Sequence, residues 1–375
     1  MSNYLKLFDK INEIILDRYI LFEEKNINWK EVIKKYSYLI DNISSDDNFV
    51  NLINNMLVEL KDPHTRFTNI GNVPRYFLPV ALKFVENCLV STTEVPSIPK
   101  GAQLLEINKF KVSDFLETNK LNASTKMCFL ESIYGNLEEE STYKYLWEGK
   151  IFNITLKNIY IQEKSTKSQK IFPKEIFTGI FSRKINDKTG YIKITSFNHG
   201  VSKVIFEKLK EYNIKEKLII DLRGAQGGYI EETINSVSLF LDKSLYLGKK
   251  VNKINGEKNV KNIIITPIGN NLKFEKILVL VDNFTMSSAE FIFLRAVSKC
   301  KNVTIIGEKT AGIVHGTNRF VINKNYLLNL TTCKYYDEKG DLLKSVGAVP
   351  DIIISETLDD IKNSVDYVLD FAQRY

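Results

Sequence analysis

From Leu5 to about Leu60 apolar residues return every three or four positions: Ile11, Ile14, Ile15, Tyr19 and Leu21, then Val32, Ile33, Tyr36 and Leu39, then Phe49, Leu52, Ile53, Met56 and Leu57. That period gathers one apolar stripe per helix and predicts three or four amphipathic helices. Trp29, directly after Asn28, is expected to pack as an aromatic anchor at a helix start. Between Val73 and about Phe177 the pattern shortens to strand-like runs at 77–84, 88–91 and 103–108, with a helical stretch expected over 120–150. Beyond Gly190 strands and helices alternate: Tyr191–Thr195, helix 201–212, strand 217–221, helix 230–242, strand 277–282, helix 287–300, strand 303–306. Alternation of this kind predicts an α/β fold with a mainly parallel sheet covered by helices.

A chain of 375 residues with 44% hydrophobic content is long enough for two or three compact units. Lysine and arginine exceed aspartate and glutamate by 52 − 45 = 7, but the charges are interspersed, and no like-charge block reads as a nucleic-acid arm. The lysine-rich run from Lys164 to Lys174 is expected to be a solvated loop or strand edge. Met1 to Lys10 lacks the order of a secretory signal, and no segment approaches the roughly 20 apolar residues that span a bilayer, so no membrane partner is expected. Cys88, Cys128, Cys300 and Cys333 lie scattered without metal-ligand spacing; reduced thiols in a cytoplasmic protein are the expectation.

Candidate chemistry concentrates where the apolar run Leu278–Val281 hands over to a helix at Ser287. A serine there has free backbone N–H groups beside it and the positive end of a helix dipole beneath it, as an acyl-transfer nucleophile requires. The competing reading is structural, because Ser287-x-x-Glu290 is also a capping box. Upstream, the strand ending in Asp221-Leu-Arg223 leads to Gly227-Gly228, where missing side chains let bare amides approach a ligand. Together with Ser288 those amides suit an oxyanion; the competing reading is an ordinary glycine turn.

Asp221-Leu-Arg-Gly-x-x-Gly-Gly, Thr285-x-Ser-Ser-Ala-Glu290, Gly307-Glu-x-Thr-x-Gly312 and Gly347-x-x-Pro-Asp351, in this order, resemble the tail-specific (C-terminal processing) and tricorn-core serine peptidases. Tyr19-x-x-Phe-x-x-Lys-Asn-Ile-Asn-Trp29 and Leu60-Lys-Asp-Pro-His-Thr-Arg-Phe67 are similar to the helical entry and Asp-x-His-Thr signature of the same family. The resemblance implies a ClpP/crotonase-like ββα catalytic core at 181–375, an N-terminal helical segment at 1–68 and a β-rich insert at 69–180. Gly101 to Asn108 resembles a PDZ segment, which makes the insert a reduced PDZ-like one.

The resemblance also frames the general base. Tail-specific relatives carry a lysine where this chain has Ile313, and Lys309 lies too early in the loop to replace it. The tricorn-like branch uses a histidine from the N-terminal side, matched by His64; His315 competes if two residues are inserted after Gly312. His199 has no counterpart and reads as a surface residue. The acid that orients the base in tricorn-like enzymes is replaced by Lys344 or Ser345, which leaves Asp337, Glu338 and Asp341 as candidate orienting acids. Pro63 and Ala225 also depart from the family pattern.

The expectation is therefore a serine endopeptidase acting on peptides or unfolded protein segments, without metal or other cofactor. The alternative is a weak or catalytically silent protein that binds a peptide or apolar ligand on the same fold. An acyl-CoA enzyme is disfavoured, since the Thr285-to-Glu290 motif has no purpose there.

Overall fold

The computed structural model describes residues 3–62, 64–71, 75–118, 133, 138–161, 179–254, 257–268 and 272–375. The chain gathers into two compact units, each discontinuous in sequence. The first comprises Met1–Val73, Ser244–Ile265 and Val314–Lys344; the second comprises Pro74–Lys243, Thr266–Ile313 and Ser345–Tyr375. This grouping cuts across the contiguous segments 1–68, 69–180 and 181–375. The reason is strand pairing: Arg66–Asn69 lies antiparallel to Tyr326–Tyr336 with Arg66 opposite Asn329, so distant sequence joins the N-terminal helices.

In the first unit the expected helices form at Asn3–Arg18, Phe22–Lys25, Trp29–Ser37 and Asp46–Val58. Leu7, Phe8, Ile11 and Ile15 are buried on the first, the stripe that the spacing predicts. Ser45 caps the last by accepting from the Asn48 amide at 3.2 Å, ahead of Asp46 and Asp47 in its first turn. Trp29 is buried and donates from Nε1 to Asn12 at 3.0 Å. These helices share a core with a sheet ordered Arg66–Asn69, Tyr326–Tyr336, Leu245–Ile254, Glu257–Ile265.

In the second unit a sheet runs Ile180–Asn186, Thr189–Ile194, Lys217–Asp221, Lys276–Val281, Val303–Gly307, Ile352–Ile353. Only the first pair is antiparallel. The central strands read Leu-Ile-Ile and Ile-Leu-Val-Leu-Val and are buried along their length, as parallel strands covered on both faces must be. Val201–Tyr212 and Ile230–Ser238 supply helices, the second shorter than expected. Val368, Leu369 and Ala372 of Tyr367–Arg374 pack on Ile219, Leu278 and Ile306.

A second sheet of this unit is antiparallel, ordered Leu82–Val85, Cys88–Ser91, Gln103–Ile107, Glu140–Trp147, Lys150–Lys157. The expected helix over 120–150 is contradicted at its end: Glu140–Trp147 is a strand that alternates exposed and buried positions, with Ser141, Tyr143 and Tyr145 inward. A serine at an inward position hid the period-two pattern. Most of 120–150, like Cys128 and Lys164–Lys174, lies outside the described residues.

Candidate active site

Ser287 stands at the end of the turn that leaves the strand Lys276–Val281. Asp282 builds that turn: its Oδ1 accepts from the Phe284 amide at 3.0 Å and from the Gly224 amide at 2.9 Å. The Thr285 hydroxyl donates to Leu222 O at 2.8 Å. The turn is thereby fastened to the loop after Asp221, and Met286 N donates to Ala225 O at 2.9 Å. Ser287 itself has φ +56°, a left-handed backbone that costs an L-residue roughly 1–2 kcal/mol.

This is not a capping box. The N-cap of the following helical turn is Ser288, without a side-chain cap bond, and Ala289–Leu294 forms a fully buried π-helical turn instead of the start of a regular helix over 287–300. Glu290 turns away from the helix start. Its buried carboxylate accepts from the Thr310 hydroxyl at 2.6 Å, the Gly312 amide at 3.1 Å and the Ile313 amide at 3.2 Å. Burial raises its pKa against the pull of those bonds. Ile313 O in turn accepts from Ser287 N at 2.9 Å, so Glu290 fixes the loop that holds the serine backbone.

The two serines differ. Ser288 is fully buried and its hydroxyl is engaged with Thr233 at 2.9 Å and Gly228 O at 3.3 Å. Ser287 is half-buried, and its hydroxyl finds no hydrogen-bond partner within its own unit among the described residues. Gly227 lies against it: a Cβ added there would meet Ser287 Cβ at 2.7 Å, Ser288 N at 2.8 Å and Ser287 Oγ at 3.0 Å. Gly227 and Gly228 have φ +81° and +149°. Phe197 donates to Gly227 O and accepts from Tyr229 N, which pins the glycine pair from behind. Asp221, read as the strand end, is a structural anchor: Arg223 bridges it to Asp366 with bonds of 2.7 Å to each.

His64 and His315 belong to the first unit. His64 Nδ1 faces Asp62 Oδ1 at 3.6 Å, and the Asp62 side chain is only 2% exposed. Asp62 is itself fixed, accepting from the His64 amide at 3.2 Å and the Thr65 hydroxyl at 2.9 Å. Burial opposes its ionisation, yet the facing imidazole holds its carboxyl well below the usual carboxylate range. His64 Nε2 is buried without a partner among the described residues. His315 Nδ1 is likewise unpartnered, and burial together with the neighbouring His64 pushes the His315 pKa down to about 4.

Asp337 closes a turn by accepting from the Lys339 and Asp341 amides, while Glu338 and Asp341 are exposed on that turn. The carboxylate that faces His64 is Asp62, two residues before it, a neighbour that the search for an acid after the serine does not reach. Lys309 is exposed in the second unit, and His199 stacks on Tyr229 at 3.9 Å. Among the described residues no three His, Cys, Asp or Glu side chains cluster as metal ligands, and no helix is long and apolar enough to cross a membrane.

Residues 188–354 match the model of Peptidase family S41, and residues 2–58 match that of the Tricorn protease C1 domain. The chain is similar to the carboxy-terminal-processing protease of Bartonella bacilliformis, 24% identical over 198 residues, or 50% of this chain and 43% of the relative. It is also similar to the carboxy-terminal processing protease CtpA of Bacillus subtilis, 28% identical over 182 residues, or 46% of this chain and 36% of the relative. The matched stretch thus spans less than half the length of these curated relatives. Among solved structures, mature CPAF superposes with TM-score 0.74 at 15% identity, covering 99% of this chain and 95% of that one. The photosystem II D1 C-terminal processing protease gives 0.59 at 15% identity, covering 95% and 94%. At such identities the likeness shows the fold alone, one of mixed α/β content.

Proposed function

We propose, for a chain that carries a Peptidase family S41 domain and a Tricorn protease C1 domain, a serine endopeptidase that cleaves peptides or unfolded protein segments through an acyl-enzyme. Ser287 is the nucleophile. The observation that carries this reading is its left-handed backbone packed against Gly227, because strain of that kind persists where function requires it. The amides of Gly227 or Gly228 and of Ser288 hold the oxyanion, favoured by the close approach of Gly227 to Ser287 that only glycine permits and by the helix start at Ser288.

The proton goes to His64. Asp62 faces its Nδ1 and would stabilise the imidazolium as it forms, leaving Nε2 as the acceptor. His315, with its pKa near 4, is neutral at working pH but a weak base, so it is the second choice. The core is read as crotonase-like, supported by its parallel sheet, and the antiparallel insert as PDZ-like. The working compartment is taken as the cytoplasm, with no metal, cofactor or nucleic acid involved. The silent-binding alternative is not favoured, since the curated relatives are named proteases.

The test is labelling by a serine-reactive fluorophosphonate. Wild type should label at Ser287 and Ser287→Ala should not, with the fold unchanged because alanine tolerates the same backbone as serine and no cap is lost. Labelling that persists in the variant would exclude the assignment.

A further inference from the structure

Beside the glycine pair lies an aromatic stack that the peptidase chemistry leaves unused. Tyr229 follows Gly228 directly and is 53% exposed; His199, also exposed, stacks on it with ring centroids 3.9 Å apart and planes at 23°. The stack is built into the fold. Phe197 N donates to Gly227 O at 2.8 Å and Tyr229 N donates to Phe197 O at 2.9 Å, so the segments carrying the two rings are stitched together. Glu232 fixes the other side of the histidine, accepting from Gly200 N at 3.0 Å, Ser202 N at 3.2 Å and the Ser202 hydroxyl at 2.9 Å.

Only Gly228 separates Tyr229 from Gly227, whose added Cβ would meet Ser287 Cβ at 2.7 Å, so a polypeptide laid across the serine passes within reach of the rings. Exposed, mutually stacked rings offer little to a polar side chain and their outer faces to a flat one. The local charge selects among flat groups. Glu231 and Glu232 occupy the first turn of the helix that Tyr229 caps, whereas Lys203 is paired with Glu207. A π-face with carboxylates behind it attracts a cation, and the guanidinium is the cation that is also planar.

We propose that His199 and Tyr229 form a specificity subsite for an arginine side chain of the substrate near the scissile bond. The subsite rests on the peptidase reading for its purpose, but its binding is separable from turnover. The experiment uses full-length Ser287→Ala protein, which cannot turn over, and fluorescein-labelled hexapeptides identical except for a central Arg, Phe or Ala, with affinity read by anisotropy. The arginine peptide should bind roughly three- to thirtyfold more tightly than the alanine peptide. That preference should vanish in Tyr229→Ala and remain in Tyr229→Phe. Equal affinities, a preference for phenylalanine over arginine, or an arginine preference that survives Tyr229→Ala would each overturn the subsite. Absence of fluorophosphonate labelling in the wild type would instead remove the peptidase reading and leave a measured arginine preference standing.

Discussion

Gly227→Ala separates two effects that glycine substitutions usually confound. At φ +81° alanine would occupy a left-handed conformation, costing roughly 1–2 kcal/mol regardless of its neighbours. Its Cβ would also lie 2.7 Å from Ser287 Cβ and 2.8 Å from Ser288 N, closer than real contacts allow, so the serine or the glycine loop must shift by several tenths of an ångström. Neither has slack: Ser287 N is held by Ile313 O and Gly227 O by Phe197 N. The methyl also fills the space assigned to the oxyanion. Loss of one oxyanion donor costs about 10²–10³ in rate, and displacement of the nucleophile acts in the same direction. Gly224→Ala is the control, because its φ is +73° while nothing lies within 4 Å of the added Cβ. The rate of fluorophosphonate labelling and the denaturant midpoint should be measured for both. Gly224→Ala should lose about 1 kcal/mol of stability and label within a few-fold of wild type; Gly227→Ala should label two to three orders of magnitude more slowly. Equal labelling by the two variants would refute the oxyanion assignment.

Asp62→Asn should lower kcat by roughly two to four orders of magnitude with KM little changed, since the amide cannot stabilise an imidazolium as a carboxylate does; unchanged kcat in steady-state peptide hydrolysis would remove Asp62 from the mechanism. His64→Ala should abolish hydrolysis while His315→Ala retains most of it, and the reverse result would transfer the base to His315. Glu290→Gln should cost stability and turnover together, because an amide oxygen cannot replace the second carboxylate oxygen that meets Gly312 and Ile313; wild-type behaviour in both assays would dissolve the clamp. Acid should destabilise the fold through His315: its folded pKa near 4 lies below the ordinary 6.5, so the unfolded chain binds the extra proton between those values. That contribution is complete above pH 6.5 and is lost as pH falls toward 4, at most about 3 kcal/mol. Urea unfolding of wild type and His315→Asn at pH 7 and pH 5 should show the smaller pH dependence in the variant, and equal slopes would contradict the burial argument.

The parallel sheet was legible because Leu218–Ile220 and Ile277–Val281 are unbroken apolar runs between helix-period segments, and burial on two faces writes itself into such runs. Glu140–Trp147 was not, because its inward Ser141 reads as polar and its outward neighbours include Lys144. The division into units was also hidden: it depends on Arg66 finding Asn329 and on Lys249 finding Tyr336, registers set by packing that no local window contains. At the candidate site Ser287, the glycine pair and both histidines stand out from motifs, and their roles are the ones proposed above. The proposed partner acid is harder to read, because the resemblance directs attention to acids after the serine, whereas Asp62 lies beside His64 in the same short turn.

The letters Ser287-x-x-Glu290 show why motif and mechanism part company. In a capping box the serine takes an extended backbone, its oxygen accepts from the third helical amide and the glutamate returns to the cap. Here the serine is left-handed and the glutamate points away, to three donors on Thr310, Gly312 and Ile313. Both changes are unfavourable locally, one by backbone strain and the other by burying a carboxylate whose pKa rises in consequence. Each becomes tolerable through the other: Glu290 orders the loop, the loop presents Ile313 O, and Ile313 O holds Ser287 N in the strained conformation. A cap would have satisfied the helix and tied up the hydroxyl. This arrangement stabilises the helix less and keeps the hydroxyl beside Gly227 out of a cap, which is the outcome expected when a serine is retained for its oxygen.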